Sequence, residues 1–455
     1  MNIGFLYNII ALVVTLLAIV TVHEYGHYIA ARAMGVKVLR FSIGFGRPLW
    51  RWRPDPEGTE FVIAGIPLGG YVKMLDGREA PVPEAEREFA YETRPAWRRA
   101  IILFAGPAAN LLFAMVAYWI VFMAGIPGLR PILGDVPEGT PAAVAGFHAE
   151  DVIVAVAGQH TDTWEGVTIA LLDAVLDPGP IEVQVRDSEG SLHTLALAAG
   201  DSTELTEPGR LLSGVGFTVF RPIFPMEIGA LDPGGPAELA GLAVGDRIVE
   251  VEGTPTPDWR EAAAEIRSRP GSAVSLLVDR AGARVRTDLV TSVVDTDAGP
   301  EGRIGITLAQ PEGLRERLFS EQRYGPLEAA GRAVSETFAM SALTLRVLGR
   351  MLTGDVSLRN VSGPIGIAQV AGDTASFGFA AFLKFLAVVS ISIGVLNLLP
   401  IPILDGGQLV FLAIERLRGD PLSEAAEAVG QRIGLVLLVL LMGLAFYNDL
   451  SGPLG

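Results

Sequence analysis

Residues 21–30 read TVHEYGHYIA. His23 and His27 stand four apart, so on a helix they share one face, with Glu24 displaced by one residue beside them. Two imidazoles at this spacing can bind zinc while the glutamate takes a proton from water. Two histidines and a carboxylate can also hold iron(II), but a glutamate inside His-Glu-x-x-His favours zinc. The chain has five histidines and no cysteine, which removes thiolate sites and disulfides from consideration. Two imidazoles leave a catalytic zinc ion one protein ligand short. The candidate for the third lies far along the chain, in IGVLNLLPIPILDGGQ (393–408). There Asp405 follows the helix breakers Pro400 and Pro402 and precedes Gly406 and Gly407. Broken backbone at membrane depth survives only against protein or a water-filled cavity, which is where a ligand is delivered. The alternative role for Asp405 is to cap the start of a cytoplasmic helix.

Both motifs border apolar runs. Four runs suit membrane helices: about 3–31, 98–125, 379–400 and 431–448. Some 20 residues at 1.5 Å each cross roughly 30 Å of hydrocarbon. The first run has no Lys or Arg before it and continues into His-Glu rather than a small-residue cleavage site, so it reads as a span and not a signal peptide. His23 and His27 lie roughly 13 and 7.5 Å along the helix from Arg32, the first basic anchor, and so below the headgroups. Uncoordinated polar groups are expensive there, and a metal explains them.

Half of the 455 residues are hydrophobic, and the net charge is −16. That composition is too apolar for an ordinary soluble protein and argues against nucleic acid as a partner. Twelve Lys and Arg fall between Arg32 and Arg99, and Arg416, Arg418 and Arg432 follow the third run. The positive-inside rule puts residues 28–99 and 410–432 in the cytoplasm, with both termini and the long middle segment outside.

That middle segment repeats. Residues 131–164 align without gaps on 226–259, an offset of 95 that pairs Pro141 with Pro236, Gly146 with Gly241, Asp151 with Asp246, Gly158 with Gly253 and Trp164 with Trp259. A period this long means two copies of one small domain. In each copy a helical turn (PAAVAG, PAELAG) precedes a strand that ends in a turn glycine (VIVAVAG, RIVEVEG).

The pattern resembles tandem PDZ domains of the circularly permuted bacterial type, with Glu150 standing where that family usually has glycine. Such domains bind peptide ends by strand addition and a backbone nest for the carboxylate. The segments around Gly216 and Gly305 are the expected nests, and a pair of rigid spacers is the competing role. With HEYGH in the first run and NLLPIPILDGG in the third, the chain resembles the site-2 protease family of intramembrane zinc metalloproteases. The two PDZ-like copies narrow this to the regulator-of-sigma-E protease branch. GFGRPLW (44–50), GIPLGGYVKM (65–74), AGPAANLLF (105–113) and NVSGPIGIA (360–368) also look like that branch.

The resemblance implies one zinc ion held by His23, His27 and Asp405, with Glu24 as general base and acid. It implies that Asn397, Pro400 and Pro402 contact substrate. The implied substrates are single-span proteins already clipped outside, of the anti-sigma-factor kind, or remnant signal peptides. The implied location is a bacterial inner membrane, with the PDZ-like domains and both termini periplasmic and the active site toward the cytoplasm. A non-catalytic PDZ scaffold would be expected to lose Glu24 or Asp405, and a CAAX-type membrane peptidase would lack the LDGG segment and the repeat.

The expected fold class is a multi-pass α-helical membrane protein with four transmembrane helices, a small cytoplasmic or re-entrant β element, and two periplasmic PDZ-like α+β domains. The expected divisions are 1–125 (two spans flanking a β segment at about 36–76), 126–222 and 223–311 (the two copies), 312–377 (an amphipathic connector on the outer membrane face) and 378–455 (the last two spans). The β segment alternates around Gly69 and Gly70 and reads as a re-entrant hairpin offering an edge to unwound substrate, against the alternative of an ordinary surface hairpin. Residues 81–97 are polar and contain proline, which reads as a mobile cytoplasmic loop.

Overall fold

The computed structural model describes residues 3–451, apart from 56–57, 79, 201, 223–225, 257–258, 297–298, 310–312 and 421. The expected domain junctions at 222/223 and 311/312 fall on residues outside those described. Among the described residues, four helices are long and apolar enough to cross a membrane. The first, α1 (Ile3–Ala33), carries the HEYGH motif in its last third and ends just before Gly35, which adopts φ +80°. The Arg94 side chain donates to the Gly35 carbonyl, one of the groups left over where the helix stops. α2 (Ala96–Ala124) contains Pro107, which cannot donate into the helical ladder.

Strand β1 (Val38–Trp52) pairs with β2 (Glu60–Met74) in a doubled register. Ser42 opposes both Tyr71 and Val62, so β1 lies between the two halves of a bent β2. Tyr28 of α1 packs edge-on against Phe41 and Phe61, which fixes the sheet to the helix that carries the motif.

The two repeat copies fold alike. In the first, the strand order is 159–160, 152–156, 181–186, 192–197, with helix α3 (Trp164–Val175) against the sheet. The second has 254–255, 247–251, 273–280, 283–290, with α4 (Trp259–Arg267). Each encloses its own apolar core, around Ile153 and Leu171 in one and Ile248 and Leu276 in the other. Special backbone positions repeat as well: Ala157 and Glu252 turn with φ 47° and 53°, and Glu150 takes φ 69° where Gly245 takes 89°. Glu150 thus holds the left-handed conformation that glycine enters without steric cost.

The segment expected as an amphipathic connector forms a short helix (Leu314–Leu318) and a strand (Phe319–Gln322), followed by two longer helices, α5 (Pro326–Thr353) and α6 (Pro364–Ser376). α5 does more than join. Ala333 belongs to the same buried cluster as Ile19, Tyr118 and Ile391, so α5 packs into the helical core with α1, α2 and α7 (Phe379–Asn397). Its other end holds the first repeat copy: Arg346 pairs with Asp173 of α3 and, at 2.8 Å, with Asp177. Lys384 of α7 reaches Glu165 of α3 at 2.6 Å. α8 (Asp405–Arg418) follows α7, and α9 (Glu424–Ser451) closes the bundle. The Asp449 carboxylate of α9 accepts from Gly363 N at 2.9 Å and Ile365 N at 2.8 Å, capping α6.

Residues 81–97, expected to be a mobile loop, are tied down instead. The Lys37 amide donates to Phe89 O (3.0 Å), the Tyr91 amide donates to Leu75 O (2.7 Å), and Lys37 pairs with Glu86 at 2.8 Å. Ala90 is fully buried, and burial pushes the Tyr91 phenol up to about 12. Polar composition hid these anchors, because a short 3₁₀ turn docked through its backbone leaves no apolar periodicity.

Candidate metal centre

His23 and His27 are both buried on one face of α1, as their spacing requires. Asp405 is the first residue of α8, where the partial positive charge of a helix N-terminus favours a carboxylate. A Cβ on Gly406 would overlap the backbone of Leu398, and one on Gly407 the carbonyl of Ile401. The two glycines therefore let α8 start directly against the Pro400–Pro402 turn, carrying Asp405 back to α1. Among the described residues, these three form the one cluster of at least three His, Asp or Glu side chains able to hold a metal, with donor atoms within 4.8 Å of one another.

The distances test that idea. His23 Nε2 and His27 Nε2 are 3.2 Å apart, and Asp405 Oδ2 lies 3.2 Å from the first and 3.4 Å from the second. A tetrahedral site with zinc–ligand bonds near 2.0–2.1 Å has edges of roughly 3.3 Å. The donor triangle therefore fits a zinc ion, and two imidazole nitrogens with one carboxylate suit that metal. The far side of each ring is also held. His27 Nδ1 lies 2.8 Å from Ile102 O, so Nδ1–H donates and the Nε2 lone pair faces the cluster. His23 Nδ1 lies 3.3 Å from the side-chain amide of Asn110.

α1 and α2 meet closely enough for this because both are glycine at the crossing. A Cβ on Gly26 would overlap the Ala105 carbonyl, and one on Gly106 would overlap the imidazole of His27. Gly106 and Asn110 had no role assigned from sequence. The signal was present: Asn110 is a buried amide in a long apolar helix, an expensive group that marks a function by default.

Glu24 projects beside the two histidines, with the Val72 main chain of β2 close to its carboxylate. Gly70 of β2 faces it, since an added Cβ would stand 3.2 Å from Glu24 Cγ. Gly69 adopts φ 156°, and Phe45 covers the space its side chain would fill. The Gly69–Gly70 segment thus lies alongside the triad. Asn397, the last residue of α7, is partly exposed, and its side-chain amide has no hydrogen-bond partner among the described residues. Pro400 is exposed, and the Pro402 carbonyl accepts from the Gln408 side chain at 3.1 Å.

The two glycines expected to form carboxylate nests lie in the repeat copies, away from this triad, and differ from each other. The amides of Gly216 and Phe217 both donate to Leu212 O, and Gly216 also donates to Ser213 O, so neither is offered to an anion. Thr140 fills the space beside Gly216. Gly305 lines a cavity of about 380 Å³ in the second copy with Trp259, Ile266, Arg267 and Arg303.

Residues 11–441 match the model of peptidase family M50. The regulator of sigma-E protease of Escherichia coli K12 is 40% identical over 457 residues, covering 98% of this chain and 99% of that protein. A Vibrio cholerae protein named as a zinc metalloprotease is 39% identical over 451 residues, again covering 98% and 99%. The crystal structure of the PDZ domain of an SdrC-like protein from Listeria monocytogenes aligns with 20% of this chain and 94% of its own, at 24% identity and a TM-score of 0.17.

Proposed function

The chain belongs to peptidase family M50, and from that premise we propose that His23, His27 and Asp405 hold its zinc ion and that Glu24 is the proton carrier. It is a zinc metalloprotease of regulated intramembrane proteolysis. The observation that carries the assignment is the donor triangle of 3.2, 3.2 and 3.4 Å, built from two helices that the sequence separates by more than 370 residues.

When bound, zinc supplies Lewis acidity at the scissile carbonyl and brings the pKa of water near 7. The chain supplies the rest. Glu24, beside the main chain of Val72, takes a proton from the attacking water and returns it to the leaving nitrogen. A transmembrane substrate helix hides its peptide bonds in its own hydrogen-bond ladder and must unwind first. The Gly69–Gly70 edge of β2 lies next to Glu24 and presents backbone groups to the unwound stretch. The Asn397 amide bonds groups released by unwinding, and the Pro400–Pro402 turn shapes the opposite wall.

The substrates on this reading are single-span membrane proteins already trimmed outside, of the anti-sigma-factor kind, together with remnant signal peptides. The two repeat copies are PDZ-like domains on the periplasmic side of a bacterial inner membrane, and the triad lies toward the cytoplasm. The Glu165–Lys384 and Asp177–Arg346 pairs hold the first copy close to the membrane helices, a position suited to excluding bulky substrates. A second reading, capture of peptide ends, is favoured for the second copy by the cavity at Gly305, which Arg267 and Arg303 line.

Four variants test the centre. Glu24→Gln retains stoichiometric zinc and loses cleavage by about 10² or more, the scale of general acid–base catalysis. His23→Ala, His27→Ala and Asp405→Ala lose both. Stoichiometric zinc in Asp405→Ala overturns the ligand set, and undiminished turnover in Glu24→Gln overturns the proton carrier.

A further inference from the structure

Asn110 lies in the interior of α2 and is fully buried. The nitrogen of its side-chain amide faces His23 Nδ1 at 3.3 Å, while its buried Oδ1 has no partner. This orientation is the wrong way round for metal binding. An NH₂ donor makes Nδ1 the acceptor, which leaves the ring proton on Nε2, the atom 3.2 Å from Asp405 Oδ2. The two ends of an amide have the same shape, and their assignment follows the hydrogen-bond network. Turned over, the amide sets Oδ1 against Nδ1–H, gives the orphaned oxygen a donor, and frees the Nε2 lone pair.

We propose that Asn110 is a positioning residue that accepts from His23 Nδ1–H and thereby fixes the tautomer and ring orientation in which His23 binds zinc; this rests on the reading of His23 as a ligand. Asn110 is itself well anchored. Its main-chain carbonyl accepts from Ser390 Oγ of α7 at 2.9 Å, and a Cβ on Gly394 would stand 3.3 Å from Asn110 Cβ. Two positions on α2 therefore serve the two rings of α1: the Ile102 carbonyl holds His27 and the Asn110 amide oxygen holds His23. Partners of this kind typically change metal affinity by about 10–100-fold.

The test is zinc affinity of the purified full-length protein, measured by chelator competition. Asn110→Leu keeps the branched outline and removes the acceptor, and is expected to weaken zinc binding by about 10–100-fold. Asn110→Asp keeps an acceptor in place and is expected to stay within a few-fold of the unaltered protein. The cobalt-substituted absorption spectrum is expected to change in Asn110→Leu and to persist in Asn110→Asp. A packing role predicts the reverse order, since leucine suits an apolar helix and a buried carboxylate does not. Undiminished zinc affinity in Asn110→Leu overturns the proposal. If that variant fails to fold by thermal unfolding of the metal-free protein, Asn110→Ala carries the same expectation and the same power to overturn. His23→Ala is the reference: loss of zinc there with full affinity in Asn110→Leu defeats the role of Asn110 alone, whereas full affinity in His23→Ala defeats the ligand reading beneath it.

Discussion

Gly106 of α2 stands against His27 of α1 so closely that a single added carbon would occupy the volume of the imidazole ring. The HEYGH motif therefore depends on a residue 79 positions away that carries no chemistry (106 − 27). Gly106→Ala is expected to displace the ring from Asp405 and weaken zinc binding by about tenfold or more, as when other ligand-orienting contacts are lost. Gly443→Ala is the control, because nothing stands within 4 Å of its added carbon. Equal zinc affinity in the two variants would show that α1 and α2 separate without consequence for the site.

The candidate zinc ligands and proton carrier were legible in the sequence because zinc chemistry restricts both residue type and spacing. His23, Glu24 and His27 declare one helix face, and Asp405 stands out as a carboxylate between helix breakers. The residues that orient them were not so legible. Ile102 acts through its carbonyl, Gly106 through a missing side chain, and Val72 through the main chain it places beside Glu24. None of these functions depends on a reactive side chain, so composition and periodicity pass over them. Backbone contacts likewise hold residues 81–97, whose polar sequence suggested mobility.

The repeat copies offer a pH test. The Arg280 guanidinium, bonded to Asp246 at 2.6 and 2.7 Å, holds that buried carboxyl below its ordinary range. A folded pKa below the unfolded value of about 3.9 gives stability that is fully present above it and is lost as pH falls through the folded value. Arg280→Gln is thus expected to lower the unfolding temperature of the second copy at pH 7, with the gap from the unaltered protein closing as pH falls below about 4. A gap that stays constant from pH 7 to pH 3 would assign the loss to the arginine's packing instead.

Orientation is open to direct labelling, because the chain contains no native cysteine. Cysteines introduced at Arg40 or Arg418 are expected to resist an impermeant external thiol reagent, while those at Asp187 or Gly282 react. The opposite pattern would invert the topology and move product release to the other side of the membrane.

The first repeat copy is fastened to the helices that frame the site, a position that makes its role in choosing substrates testable. Lys384 of α7 meets Glu165 at 2.6 Å, and Arg346 of α5 meets Asp177 at 2.8 Å. If the copies act as a size filter, their position matters more than their grooves. Removing residues 128–311 with a short linker is then expected to permit cleavage of untrimmed substrates and leave trimmed ones nearly unaffected. Lys384→Glu should loosen the same contact and admit part of the untrimmed pool, and pairing it with Glu165→Lys should restore rejection. If capture of peptide ends dominates, Gly305→Trp should slow cleavage of trimmed substrates by filling the cavity beside Arg303. Peptide capture has less to work with in the first copy, where the amides of Gly216 and Phe217 are already bonded to Leu212. Matched trimmed and untrimmed substrates separate the two: an active deletion variant that still rejects the untrimmed form would remove the filter from consideration.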